Sequence, residues 1–169
     1  MESLNSQPDL KRLAGIRLLI LDVDGVMTDG SLHYDANGKE GKVFHVHDGH
    51  GIKQVMKHGI EVAVISGRKS TAVATRLAEL GITRVYLGQE TKSEAFEAIL
   101  SSLSIAAEDV ACVGDDAPDL PIMQRAGIGI TVANAHPSVL AAADWCTVRN
   151  GGQGAVREIC DALLSAQSA

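Results

Sequence analysis

Two aspartates, Asp22 and Asp24, close the apolar run GIRLLILDVDG, and three more, Asp115, Asp116 and Asp119, sit in the segment GDDAPD. Between these stretches fall Ser66-Gly67-Arg68 and Lys92. Acids gathered in such number repel one another. With no cysteine beside them they suit a hard, oxygen-loving cation such as Mg²⁺, held by a few carboxylates, a backbone carbonyl, waters and phosphate oxygens. A divalent cation, a lysine and a serine hydroxyl together make a place for a phosphoryl group. Two aspartates at i and i+2 on an extended strand end can then divide the labour. One attacks phosphorus as a nucleophile, and the other protonates the leaving oxygen and later activates water.

Each piece taken alone has a plainer meaning. Asp24-Gly25 is a common turn, and Ser66 reads at least as well as a helix N-cap. Asp119, or Asp116, could cap the helix at DLPIMQRAG in the same way. Lys92 is harder to explain structurally, because a cation at a helix N-terminus opposes the macrodipole by ~0.3–1 kcal/mol. An anion held beside it would reverse that penalty. A second cluster lies in VFHVHDGHG, where His45, His47, Asp48 and His50 fall close together. Its spacing approaches the H-x-H-x-D-H pattern of binuclear zinc sites, with the aspartate one place early. The segment by itself leaves metal binding open.

What must position these residues is a set of short apolar runs. GIRLLILDVDG, IEVAVISG, TRVYLG, DVACVGDD, GIGITVAN and DWCTV read as strands buried on both faces, as in a parallel sheet. Helical stretches separate them. TAVATRLAELG places Val73, Leu77 and Leu80 on one face and stops at Gly81. TKSEAFEAILSSL opens with Thr91 and Glu94 at capping-box spacing, and GAVREICDALLSAQ forms a last helix. Alternating strands and helices predict an α/β, Rossmann-like parallel sheet flanked by helices, with ligands at the carboxyl ends of the strands. SLHYDANGKEGKVFHVH breaks the rhythm: two β-prone arms flank Asn37-Gly38, a hairpin signal. It reads as a flap at about residues 31–47. The chain divides into an N-terminal extension, 1–15, and one domain, 16–169.

The composition narrows the field. The chain has 169 residues, of which 46% are hydrophobic and 21% charged, as in ordinary globular domains, with a formal net charge of -6. A negative mean field disfavours nucleic acid or an anionic membrane as partner. No apolar run nears the ~20 residues of a membrane span. The opening MESLNSQPDLKRLAG lacks a signal peptide's apolar stretch. Cys112, Cys146 and Cys160 lie far apart without C-x-x-C spacing, which reads as buried thiols in a reducing compartment. A cytoplasmic protein is the expectation.

In DVDGVMTDG, ISGR, TK and GDDAPD the sequence resembles the haloacid dehalogenase (HAD) superfamily, over roughly residues 17–167. HVHDGHGIK, SGRKS, VANAHPSV and RNGGQGAVREICD, with the hairpin and no cap domain, resemble more narrowly the family of 3-deoxy-D-manno-octulosonate (KDO) 8-phosphate phosphatases. The resemblance implies Mg²⁺-dependent hydrolysis of that phosphorylated sugar acid, in lipopolysaccharide biosynthesis, through an aspartyl phosphate on Asp22. It implies Asp24 as general acid/base, with Ser66 and Lys92 on the phosphate oxygens. Metal ligands would be Asp22, Asp24 through its carbonyl, and Asp115, with Asp116 and Asp119 in an outer layer. Asp24, His45, Val46, His47, Asp48, Gly49, Lys53, Arg68, Arg76 and Lys92 would meet the substrate, which moves the histidines from metal site to pocket. The family also implies a homotetramer with paired flaps and no nucleic-acid or membrane partner. Two positions depart from its pattern: His47 stands where arginine is usual, and Gln153 where the tail usually carries a basic residue. Both lower the positive charge near the expected substrate. The alternative substrate is a nine-carbon nonulosonate 9-phosphate, against which Arg68 argues. A phospho-accepting receiver domain shares the aspartate, Mg²⁺, hydroxyl and lysine, but no acid follows its phosphorylated aspartate at i+2.

Overall fold

The computed structural model of the protein describes residues 7–169; the first part of the polar N-terminal stretch lies outside the described residues. The elements run α1 (Leu10–Ala14), β1 (Leu18–Leu21), β2 (His33–Tyr34), β3 (Glu40–Gly41), α2 (Val46–Lys57), β4 (Glu61–Ile65), α3 (Thr71–Leu80) and β5 (Arg84–Tyr86). They continue with α4 (Lys92–Leu103), β6 (Val110–Val113), α5 (Leu120–Met123), β7 (Ile128–Thr131), α6 (Pro137–Leu140), β8 (Trp145–Cys146) and α7 (Ala155–Gln167). All six apolar runs are strands of one sheet, in the order β5-β4-β1-β6-β7-β8. Every pairing in it is parallel, so each strand points its carboxyl end to the same edge.

Alternation along the strands explains the two-sided core. In β1, Leu19 and Leu21 face one layer and Leu18 and Ile20 the other; in β4, Val62 and Val64 oppose Ala63 and Ile65 in the same way. Helices α2, α3 and α7 bring Ile52, Val55, Leu77, Ile159 and Leu163 to the first layer. Helix α4 brings Phe96 and Ile99 to the second. Each Leu or Ile fully withdrawn from water contributes roughly 1.5–3 kcal/mol, so the sheet is a stiff platform for the loops at its edge. Part of the N-terminal extension joins the core: α1 lays Leu13 into the first layer. The three cysteines are buried free thiols. Among the described residues no helix is long and apolar enough to cross a membrane.

The hairpin forms as β2 and β3, antiparallel, with His33 opposite Gly41. Its turn is held by Asp35, whose carboxylate accepts the Asn37 and Lys39 N–H groups at 2.8 Å each. The expected flap ran two residues too far, because α2 begins at Val46. His45 is its N-cap, its ring nitrogen accepting the His47 N–H at 3.1 Å, a role in which the sequence pattern favours Ser, Thr, Asp or Asn. The capping box expected at Thr91 and Glu94 does not form: Thr91 makes no side-chain cap bond. Lys92, next along, turns its side chain into the sheet edge instead.

Candidate active site

Three strand ends build the site. Asp22 follows β1, its N–H bonded to the Val113 carbonyl at 3.1 Å, so the central strand carries it to the edge in register with β6. Asp24 and Gly25 open a turn that Thr28 closes, the hydroxyl accepting the Gly25 and Gly30 N–H groups at 3.3 and 3.2 Å. Gly25 has φ +87, and a Cβ there would lie 1.9 Å from an Asp115 carboxylate oxygen. Only glycine lets the two loops meet this closely. Ser66 follows β4 and is buried. It caps no helix; Ser70 holds that role for α3 through the Val73 N–H.

Lys92 organises the acids. It is 5% exposed, and its Nζ donates to Asp22 Oδ1 at 2.8 Å, Asp119 Oδ1 at 2.6 Å and the Ile65 carbonyl at 3.0 Å. Asp119 is also buried, and its second oxygen accepts the N–H groups of Asp115 and Asp116 at 3.0 and 3.2 Å. Asp119 therefore sets the loop that carries Asp115, while Asp116 caps the short 3₁₀ turn 117–119. Asp22, Asp115 and Asp119 each offer an oxygen within 4.8 Å of the others.

The electrostatics follow from burial. Desolvation first, then the charge of Asp119, pushes the Asp22 carboxyl well above its usual range, and Lys92 offsets this only in part. The same two causes push Asp115 up to about 6. Burial pulls the Lys92 ammonium down, but Asp22 and Asp119 outweigh it and hold its pKa above the ordinary value. Carboxyls raised in this way are short of positive charge. Asp22, Asp115 and Asp119 are the acids whose oxygens lie close enough together to hold a cation. An all-oxygen donor set fits Mg²⁺.

These groups line a cavity of 320 Å³ together with Asp24, Gly30, Gly67, Arg68, Asp116 and Pro118. Larger hollows lie on either side. One of 700 Å³ separates the flap from α3 and holds Arg76 and Lys69. The other, of 520 Å³, gathers His47, Arg149 and Arg157. Neither is lined by Asp22, Asp115, Asp119 or Lys92, so the buried acid–lysine cluster belongs to the smallest of the three. Of the residues singled out in the sequence, Asp22, Asp24, Ser66, Arg68, Lys92 and Asp115 converge there. His45 to Gly49, Lys53 and Arg76 do not line it within one chain. Val46 and Lys53 are exposed on α2, while Asp48 is buried, one oxygen on the Arg157 N–H at 2.9 Å. Gly49 packs against the Arg76 guanidinium. No group of histidines with metal-binding geometry occurs among the described residues.

Two residues that line the 700 Å³ hollow, one of them reaching Asp24, had not been expected. Lys42 Nζ lies 2.5 Å from Asp24 Oδ1 and 2.6 Å from Glu40 Oε1. Glu40 in turn pairs with Arg68 at 2.7 Å. Alternation was the available signal, since Glu40 and Lys42 stand at i and i+2 on the returning arm of the hairpin and so share a face.

Comparison with known proteins places this geometry. A family model described as haloacid dehalogenase-like hydrolase matches residues 81–159. The 3-deoxy-D-manno-octulosonate 8-phosphate phosphatase KdsC of Escherichia coli is 51% identical over 158 residues, 94% of this chain and 84% of that protein. The crystal structure of the Yersinia pestis 3-deoxy-D-manno-octulosonate 8-phosphate phosphatase superposes with a TM-score of 0.93 at 45% identity, covering 94% of this chain and 86% of the other. That of Moraxella catarrhalis, in complex with magnesium ion, phosphate ion and KDO, gives 0.91 at 40% identity, over 94% and 91%. The chain belongs to the KDO 8-phosphate phosphatase family of haloacid dehalogenase-like hydrolases.

Proposed function

We propose that this protein hydrolyses KDO 8-phosphate to KDO and inorganic phosphate through an aspartyl phosphate on Asp22. The observation that carries the reading is the buried Asp22–Lys92–Asp119 chain beside Asp115 at the end of the central strand. Asp22 is fixed by backbone pairing on one side and by Lys92 on the other, which presents its carboxylate to phosphorus. As Asp22 attacks, the bond from phosphorus to the sugar oxygen breaks and Asp24 gives that oxygen its proton. Asp24 then takes a proton from the water that attacks the phosphoryl group, and Asp22 is released unchanged. Ser66 and Lys92 hold the phosphoryl oxygens while charge builds on them. Asp22, Asp115 and the Asp24 carbonyl would hold Mg²⁺, which would supply the remaining positive charge.

Arg68, a bidentate donor at the cavity mouth, suits the carboxylate of a sugar acid. His45 to Gly49, Lys53 and Arg76 lie farther out and belong to the part of the pocket that the rest of the sugar, or a second copy of the chain, completes. The homotetramer has its support in the flap and its neighbour α2, where Tyr34, Val43 and Val46 are 57%, 67% and 73% exposed. The protein works in the cytoplasm on a soluble sugar phosphate that feeds lipopolysaccharide synthesis. The test is phosphate release from KDO 8-phosphate with Mg²⁺, with chelator, and by Asp22→Asn, beside a nonulosonate 9-phosphate. Mg²⁺-dependent turnover of the eight-carbon ester, abolished by the substitution, is the expected result. Turnover of the nine-carbon ester alone overturns the substrate, and turnover by Asp22→Asn overturns the mechanism.

A further inference from the structure

We propose that Lys42, carried on the flap, is a positioning residue for Asp24: it pins Oδ1 of that carboxylate and leaves Oδ2 as the oxygen that delivers the proton to the leaving group. The inference rests on the phosphatase reading above and extends it, because it gives the flap a part in the proton transfer.

Lys42 is half-buried as a residue, its side chain turned away from solvent, a condition in which lysine is usually paired. Here it is paired twice, to Asp24 Oδ1 and to Glu40 Oε1. The second oxygen of Glu40 holds the Arg68 guanidinium, which also reaches the Tyr34 hydroxyl at 3.4 Å. Arg68 Nε stands 4.0 Å from Asp24 Oδ2. Two anions and two cations thus alternate from the body of the protein to the flap and back, with Asp24 at the inner end. Asp24 comes from the turn after the central strand and Lys42 from 18 positions later, so the contact exists only while the flap lies over the edge.

A surface ion pair would only fasten the flap, and weakly. This one engages the residue that must aim a proton. An ammonium on Oδ1 leaves the carboxyl proton on Oδ2, which meets Arg68 Nε only at 4.0 Å. Rotation about the Asp24 side chain would break the contact with Lys42, so the lysine selects one orientation. Without Lys42 the carboxyl is free to turn, and part of the gain from general acid catalysis, about 10²–10⁴-fold in typical enzymes, is lost.

The experiment compares kcat/KM for two esters in the presence of Mg²⁺. One is KDO 8-phosphate, whose alkoxide must be protonated as it leaves; the nine-carbon ester replaces it if that is the one turned over. The other is p-nitrophenyl phosphate, whose phenolate leaves without a proton. Lys42→Met is expected to lose about 10–100-fold on the sugar ester and under about threefold on the aryl ester. Lys42→Arg should recover part of the loss, and Asp24→Asn should show the same asymmetry, with no further drop when combined with Lys42→Met. Should Lys42→Met not fold, Lys42→Gln, a shorter side chain that stays polar but carries no charge, gives the same comparison. Equal losses on both esters, or none on either, overturn the positioning role and leave a mere tether. A wild-type protein inactive on every ester overturns the phosphatase reading itself, and this inference with it.

Discussion

Asp119 touches no expected substrate, yet the geometry makes its removal costly, and Asp119→Ala is the sharpest test of how the site is held. The substitution deletes two backbone hydrogen bonds, from Asp115 and Asp116, and one ion pair with Lys92. Water can reach the half-exposed 115–116 segment, so each lost backbone bond costs only about 1 kcal/mol. Lys92 keeps Asp22 and the Ile65 carbonyl, and losing one of three partners adds ~1–2 kcal/mol. Lys92 lies between Asp119 and Asp22 and screens them, so relief of repulsion returns only about 1 kcal/mol, the value of a charge pair in water. The net is about 2–3 kcal/mol of lost stability, or roughly 5–10 °C in the thermal midpoint of a chain of this size. Activity should fall much further. Asp115 loses the anchor of its loop, and a displacement of 1 Å can cost ~10²-fold. Asp119→Asn can keep its amide oxygen on the two N–H groups but turns an NH₂ toward Lys92, so it should lose about half as much stability. Urea unfolding and initial rates of phosphate release check both. A midpoint unchanged by Asp119→Ala, with a rate within about threefold of wild type, would refute the assignment.

Two further predictions concern the metal and the tail. Asp22 and Asp115 have folded pKa values above the free carboxylate value of 3.8, Asp115 at about 6. The metal-free folded state therefore holds extra protons between those limits. That contribution to stability is full below 3.8 and is lost as pH rises through about 6. In chelator, thermal unfolding should show this site weakening the fold from about pH 4 to about pH 7. Mg²⁺, which competes with those protons, should stabilise more at the higher pH, by about 2.7 kcal/mol at a hundredfold its dissociation constant; a Mg²⁺ shift larger at low pH would contradict this. The second concerns Gly151, where a Cβ would lie 1.7 Å from the Gly25 carbonyl oxygen, a backbone atom that cannot swing aside. Gly151→Ala should cost about 3 kcal/mol or more and displace the turn that carries Asp24, lowering both midpoint and rate. An unchanged midpoint would show that the two loops do not depend on each other.

The strand-end acids could be read from the sequence because parallel strands leave no choice of edge. Once six apolar runs alternate with helices, whatever follows each run must gather at one side. The choice between Ser66 as cap and as site residue needed coordinates, since Ser70 is an equally good cap and stands four positions on. The start of α2 was hidden for a chemical reason: a histidine ring caps it. Lys92 was recognised as misplaced for a helix start, but its two carboxylate partners come from segments 70 and 27 residues away. Lys42 was missed because a lysine after Asn37-Gly38 looks like any solvated hairpin arm; alternation puts it on one face with Glu40, but what that face meets depends on where the flap folds back.

The buried cysteines have a practical consequence. Cys112, Cys146 and Cys160 are enclosed, and burial raises all three thiols above their usual range, which suppresses the reactive thiolate. The native chain is therefore nearly silent to thiol-directed dyes. A single cysteine placed at Asn37, on the exposed tip of the hairpin, would carry nearly the whole signal, so a dye there would report on the flap alone in a protein otherwise unaltered.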